Sequence, residues 1–275
     1  TETTANNGSA TLLSTTTTGG SSGITNNEQS SVSTAQSQQN SLPQTSHIYI
    51  DQIGSGDSVT INQQNQYNLI GGQSQTGLKL RGGNNTVVIH QGDPSNTQST
   101  HNVAAIDLLG GSNSLTLNQG TDANGNGSGS DAGYHYSSIY VNGVNNILNI
   151  QQQNTNSVGN YANINIQGNQ NNQSLIQTGT GAKQLFTTIT GNLNTETVSQ
   201  TGSAAQFADI NLNGNGNSAT VTQSGSSPNS AQINLTNAGG PASVNLTQTG
   251  GQSYSITQTC VQAGGCATVT VRQGN

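Results

Sequence analysis

One glutamine recurs at a fixed place in a short frame, and that column limits the available folds more than any other feature. Let position zero fall at Ile50, Leu78, Ile106, Ile139, Ile164, Thr187, Ile210, Leu235 and Cys260. Position +13 is then Gln in all nine units: Gln63, Gln91, Gln119, Gln152, Gln177, Gln200, Gln223, Gln248 and Gln273. Position +4 is Gly in all nine: Gly54, Gly82, Gly110, Gly143, Gly168, Gly191, Gly214, Gly239 and Gly264. Position +11 is always aliphatic, from Ile61 to Val271. Six consecutive units carry Asn at +7: Asn85, Asn113, Asn146, Asn171, Asn194 and Asn217. Asp57 stands there in the first unit, and Ala242 and Ala267 in the last two.

Alternation with period two predicts β-strand. Positions 0 and +2 share one face of a first strand, and +9, +11 and +13 share one face of a second. The glycine between them supplies a turn conformation that other residues resist. One strand–turn–strand unit cannot bury its apolar stripe alone, but stacked units can. The expected fold is therefore all-β, a β-solenoid of nine rungs forming two parallel stacked sheets. At a rise of about 4.8 Å per rung the rod would be roughly 40 Å long. The Gln columns are 28, 28, 33, 25, 23, 23, 25 and 25 residues apart. All of that variation falls between +13 and the next unit, which predicts an exposed, tolerant arc there. Its longest version is residues 120–138.

Position +13 has the parity of the aliphatic +11, so its amide should face inward near a corner. A buried amide without partners costs a few kcal/mol, on the order of 2 or more. Identical amides stacked along the axis can bond to each other, so the Gln and Asn columns should form ladders. Two rungs break the apolar pattern, with Gln173 at +9 in the fifth and Thr187 and Glu196 at 0 and +9 in the sixth. A carboxylate facing a core must be paired, neutral or displaced. Lys183 is the candidate partner for Glu196.

The 275 residues are only 28% hydrophobic and 5% charged, with 36 Gly and no Trp or Met. So few apolar side chains argue against a compact single-core globule. A net charge of −6, with Lys79, Arg81, Lys183 and Arg272 as the only basic residues, argues against nucleic acid as a partner. No apolar run is long enough for a membrane-spanning helix. The chain starts at Thr1 rather than Met, which predicts a processed N-terminus. Cys260 and Cys266 fit no zinc or thioredoxin motif. Their spacing leaves open a disulfide, or a small core residue plus a turn residue.

The frame resembles the curlin repeat of bacterial amyloid fibre subunits. The first unit carries Ser46, Gln52, Gly54 and Gln63, with Asp57 and Val59 in the Asn and Ala places; the seventh carries Gly214, Asn217, Ala219 and Gln223. Most units have an aliphatic where the curlin pattern has its first Gln, such as Leu80, Leu108 and Val141. The resemblance covers residues 46–275. It implies a secreted, extracellular, cell-surface fibre subunit for adhesion and biofilm matrix. It also implies a head-to-tail homopolymer, with secretion and nucleation accessory proteins as partners. Repeats of this kind occur in tailed-phage particles too, so a virion fibre is the alternative.

Residues 1–45 lack the frame and read as a low-complexity tail. The β-propensity of residues 10–18 predicts a strand docked on its own rod or on a neighbouring subunit. Asp122, Asn124 and Asn126 resemble the start of a calcium loop, but position twelve is Gly133, so a Gly/Asn loop competes with that reading. His47, His90, His101 and His135 show no ligand spacing, and neither a metal nor a cofactor is expected. Nothing resembles a nucleophile elbow or paired acids, so no catalytic residue is assigned. Outward threonines at +10 (Thr60, Thr116, Thr197, Thr220 and Thr270) raise ice binding as a minor alternative, interrupted by Val88, His90 and Arg272.

Overall fold

A computed structural model describes residues 2–4, 11–13, 33, 35, 37, 39–42, 46–71, 78–156, 158–237, 239–260 and 263–274. From residue 46 onward the chain winds as a parallel β-solenoid with two nine-stranded sheets. Sheet I takes the +8 to +13 segment of every rung, from Ser58–Gln63 through Asn172–Gln177 to Val269–Gln273. Its strands pair parallel with no slip, so Gln63 lies beside Gln91 and Gln177 beside Gln200. Alternate residues point inward, as in Ser218–Gln223, where Ala219, Val221 and Gln223 are buried. This is what period-two patterning demands of a strand with one dry face.

Sheet II corrects the expected topology. Its strands lie just before position zero, in segments such as Val103–Ala104, Lys183–Leu185 and Asn229–Asn234. The arc that tolerates length changes therefore carries a buried sheet as well. The variable lengths sit in the turns after +13, such as 92–101 and 120–133. Positions 0 to +3 form a third wall. Among the described residues it is a strand only in the first two rungs, where Ile50–Ile53 pairs with Leu78–Arg81. In rung 5 the same stretch runs left-handed, with φ of 66°, 127°, 74° and 75° from Ile164 to Gln167. Non-glycine residues pay about 1–2 kcal/mol each for that conformation. Neighbouring rungs hold it in place: Gln167 N–H donates to Val141 (2.7 Å) and Thr190 N–H to Ile166 (2.8 Å). The side chains at 0 and +2 still alternate inward, and Ile164 and Ile166 are buried in the same core as Leu175 and Val198. Alternation survives on this wall without an extended backbone.

The glycine column also needs a different explanation. Gly82 has a left-handed backbone (φ 94°), as a turn glycine should. In the middle rungs the reason is crowding between coils. A Cβ at Gly110, Gly143, Gly168 or Gly191 would sit 2.0, 1.9, 2.0 or 2.2 Å from the carbonyl oxygen of the next glycine in the column. Only a bare Cα permits that approach.

In the N-terminal segment, three residues of the expected strand, Thr11–Leu13, are extended. Glu2–Thr4 and Thr11–Leu13 pair antiparallel with each other. The rest of residues 10–18 lies outside the described residues. The described residues Ser33, Ala35, Ser37, Gln39 and Asn40 are helical. Ala35 packs on Tyr161, Phe186 and Phe207, while Leu42 packs on Leu69 and Val103. Gln39 Nε2 donates to the His101 carbonyl (3.1 Å). This segment covers an apolar stripe on the outside of sheet II.

Candidate functional site: amide ladders and rod ends

The Gln column forms one continuous ladder from rung 1 to rung 8. Each Nε2 donates to the next Oε1: Gln63 to Gln91 at 2.9 Å, Gln91 to Gln119 at 2.8 Å and Gln119 to Gln152 at 3.0 Å. The series continues through Gln177, Gln200 and Gln223 to Gln248 at 2.9 Å per step. The second Nε2 hydrogen reaches a sheet II carbonyl, for example Gln177 to Tyr161 (3.1 Å) and Gln200 to Gln184 (3.0 Å). The ladder thus closes a corner between the two sheets and leaves neither donor hydrogen unused. At the last rung it stops, because Gln248 donates instead to Ser230 and Gln252. The Gln273 Oε1 there is left without a partner.

The Asn column runs the other way. The N–H and Nδ2 of Asn85 both donate to Asp57 Oδ1, at 2.9 and 3.0 Å. Asn113, Asn146, Asn171 and Asn194 repeat this on the Oδ1 of the rung before. Asn217 donates its N–H to Asn194, and its own Oδ1 accepts the N–H of Ala242 (2.9 Å). Asn113, Asn146 and Asn194 also reach glycine carbonyls one rung on: Gly143, Gly168 and Gly214 (2.8, 2.8 and 2.7 Å). The glycine and asparagine columns therefore form one interlocked corner.

Two further ladders escaped sequence reading. At the sheet II corner, backbone N–H groups of successive rungs donate to Asn68, Asn102, His135 and Asn160 side chains (2.9–3.2 Å), and Asn229 donates to Gln206. Lys183 occupies this column and is fully buried; its Nζ donates to the Gly181, Gly202 and Ala204 carbonyls. Burial lowers its pKa to about 8. An exposed Asn ladder also lines the turn after the glycine, where Asn169 N–H meets Asn192 Oδ1 and Asn192 N–H meets Asn215 Oδ1, both at 2.8 Å.

Lys183 does not reach Glu196, contrary to the sequence expectation; it sits at another corner. The Glu196 carboxyl accepts from Thr187 Oγ1 (2.9 Å), and its Oε2 has no partner. Burial pushes its pKa up to about 8, opposed by the Thr187 bond, so the acid is neutral in the core. Beside it in register, Gln173 has no partner for either amide atom.

The 120–133 excursion is pinned rather than loose. Asp93 takes the Ser95 and Gly129 N–H groups, both at 2.7 Å. Asp131 takes Ser99 Oγ (2.5 Å), the N–H of Asn154 (2.7 Å) and the N–H of Gly133 (2.9 Å), and bonds to His135 Nε2 (2.8 Å). The Asp122 carboxylate is occupied by the Asn124 and Asn126 N–H groups (2.8 Å each), and the Asn126 bond foremost lowers its pKa. Among the described residues no three His, Cys, Asp or Glu side chains cluster as a metal site.

The ends of the rod contrast with its middle. Rung 1 exposes Ile48, Tyr49, Ile50 and Ile53, up to 59% for Ile53. At the other end Tyr254, Ile256, Val269 and Val271 are only partly buried. Cys260 and Cys266 form a disulfide across the last turn, with Cα atoms 5.6 Å apart. Inside that turn, no described residue lies within 4 Å of where a Cβ on Gly264 would stand. Compared with family models, curated proteins and solved structures, the chain matches none.

Proposed function

We propose that the chain is the structural subunit of an extracellular, curli-like fibre, polymerising head to tail by continuing its sheets from one copy into the next. The observation that carries this reading is that, among the described residues, neither end of the rod is capped. A solenoid that stays monomeric needs terminal rungs with polar outer faces. Among the described residues, the edge strands of both sheets have one neighbour each, and aliphatic side chains are exposed or half-exposed at both ends; such edges template further strands. The Gly column adds to the argument. Inner rungs require glycine because a second coil presses against it; Gly264 keeps that residue with no coil beyond it in the monomer. A second copy stacked there would meet the same constraint as Gly168. Contacts of this head-to-tail kind do not close on themselves and give filaments. The resemblance to the curlin repeat supports the extracellular, adhesive and biofilm setting, with secretion and nucleation accessory proteins as partners.

The test is Gly264→Ala. The substituted monomer should unfold at the same denaturant concentration as the parent, since the added methyl meets nothing. Fibre growth followed by light scattering and electron microscopy should be strongly slowed or abolished. Equal growth of the two proteins would remove the head-to-tail contact at this end. A parent protein that forms no filaments under any condition would end the fibre reading altogether.

A further inference from the structure

The pinned excursion 120–133 lies against the outer face of sheet I, where Gly125 sits over the His90 ring. Beside it, between Ala123 and rungs 3 to 5, lies a cleft of about 200 Å³. Long excursions without regular structure are commonly functional. This one is fixed by two buried carboxylates, Asp93 and Asp131. The cleft presents Thr116, Asn149 and Ser174, adjacent in register on three successive strands. Asn118, Gln151 and Ile176 also line it, and none of the lining residues is charged.

Asn118 supplies the second observation. It is 2% exposed, and its Oδ1 bonds to His90 Nδ1 (2.8 Å). Its Nδ2 has no partner among the described residues. A nearly buried amide that lines a cleft with its donor unused is suited to a ligand acceptor. Ile176 and Ala123 offer apolar surface for C–H groups, while the hydroxyls and amides suit alcohol groups. Absence of charge disfavours phosphate, carboxylate or ammonium ligands, which require a paired partner.

We propose that this cleft binds one sugar residue of a neutral glycan. The site is complete within one subunit, so its fate is independent of fibre formation. Polymerisation would repeat the cleft along the filament and convert a weak contact into avid adhesion.

Saturation-transfer NMR on the full chain tests this, with cellotetraose, maltotetraose and chitotetraose as neutral probes and tetragalacturonate as the anionic one. At least one neutral probe should show transfer, with affinity in the millimolar range. Asn118→Leu and Asn149→Ala should each weaken it by about fivefold, the loss expected for one hydrogen bond. Ser174→Tyr, an outward substitution that fills the cleft, should abolish it, and circular dichroism would verify that each variant is folded. No transfer to any neutral probe, transfer to tetragalacturonate alone, or unchanged binding in the folded Ser174→Tyr and Asn149→Ala variants would overturn the proposal.

Discussion

Gln173 and Gln177 lie four residues apart on one strand, both buried and both pointing inward. Gln177 accepts from Gln152, donates to Gln200 and donates again to Tyr161. Gln173 has no partner at all. The two have the same side chain, and only the column differs. Gln177 stands at a corner, with a glutamine above, a glutamine below and a sheet II carbonyl within reach. Gln173 stands mid-wall, between Leu148 and Glu196 in register. Along sheet I, an inward amide is satisfied where glutamines stand above and below it, and it is a defect where they do not.

The defect at rungs 5 and 6 should dominate the pH dependence of the whole rod. Glu196 rises from an ordinary 4.5 to about 8 on burial. A pKa raised in the folded state means that folding takes up a proton. Its stability contribution is full below about pH 4.5 and is lost progressively as pH rises to about 8. At 1.36 kcal/mol per unit, the loss over that window is up to about 5 kcal/mol. Among the described residues no titratable side chain is bonded to the acid; Lys183, the nearest candidate by sequence, is held by carbonyls at another corner. Denaturant midpoints at pH 5 and pH 8 should differ strongly in the parent and much less in Glu196→Gln. Identical profiles for the two proteins would show that the carboxyl is not neutral in the core.

Leucine at each glutamine puts the comparison to its most direct test. Gln177→Leu leaves Gln200 Oε1 without its donor and Gln152 Nε2 without its acceptor, and should cost about 2–4 kcal/mol. Gln173→Leu removes two unsatisfied atoms and continues the aliphatic column of Leu115 and Leu148. It should stabilise by about 1–3 kcal/mol. The two substitutions are chemically identical, and opposite signs in equilibrium unfolding would establish that the column sets the value. Matching signs would mean that volume, not hydrogen bonding, decides.

How much of this was legible follows the same logic. The Gln, Gly and Asn columns could be read because only one residue type meets each demand: an inward amide that bonds both ways, a bare Cα, a short amide that reaches a glycine carbonyl. The sheet II corner could not be read because Asn102, His135, Asn160, Lys183 and Gln206 meet its demand differently. All five lend a side chain to a neighbouring rung or a turn carbonyl, and all five are buried. The left-handed wall was mistaken for a strand because inward alternation is common to both backbones. The helical segment around Ala35 was missed because its conformation depends on docking over Phe186 and Phe207, far away in sequence.

The smallest expected effect separates repetition from burial. Asn192 and Asn194 sit two residues apart, and each belongs to a ladder of nearly the same geometry. Asn194 is buried; Asn192 is half-exposed, and Asn169, which donates to it, is exposed. Removing Asn194 by Ala strands Asn217 N–H and the Gly214 carbonyl away from water, which should cost about 2–3 kcal/mol. Removing Asn192 frees the Asn169 N–H to solvent, so water replaces the lost acceptor and the cost should be about 0.5 kcal/mol. If both variants lose the same stability, the stacking of amides is stabilising in itself, and exposed ladders would support the rod as strongly as buried ones. If only Asn194→Ala is costly, a ladder matters because it satisfies groups that the stacked coils have already removed from water.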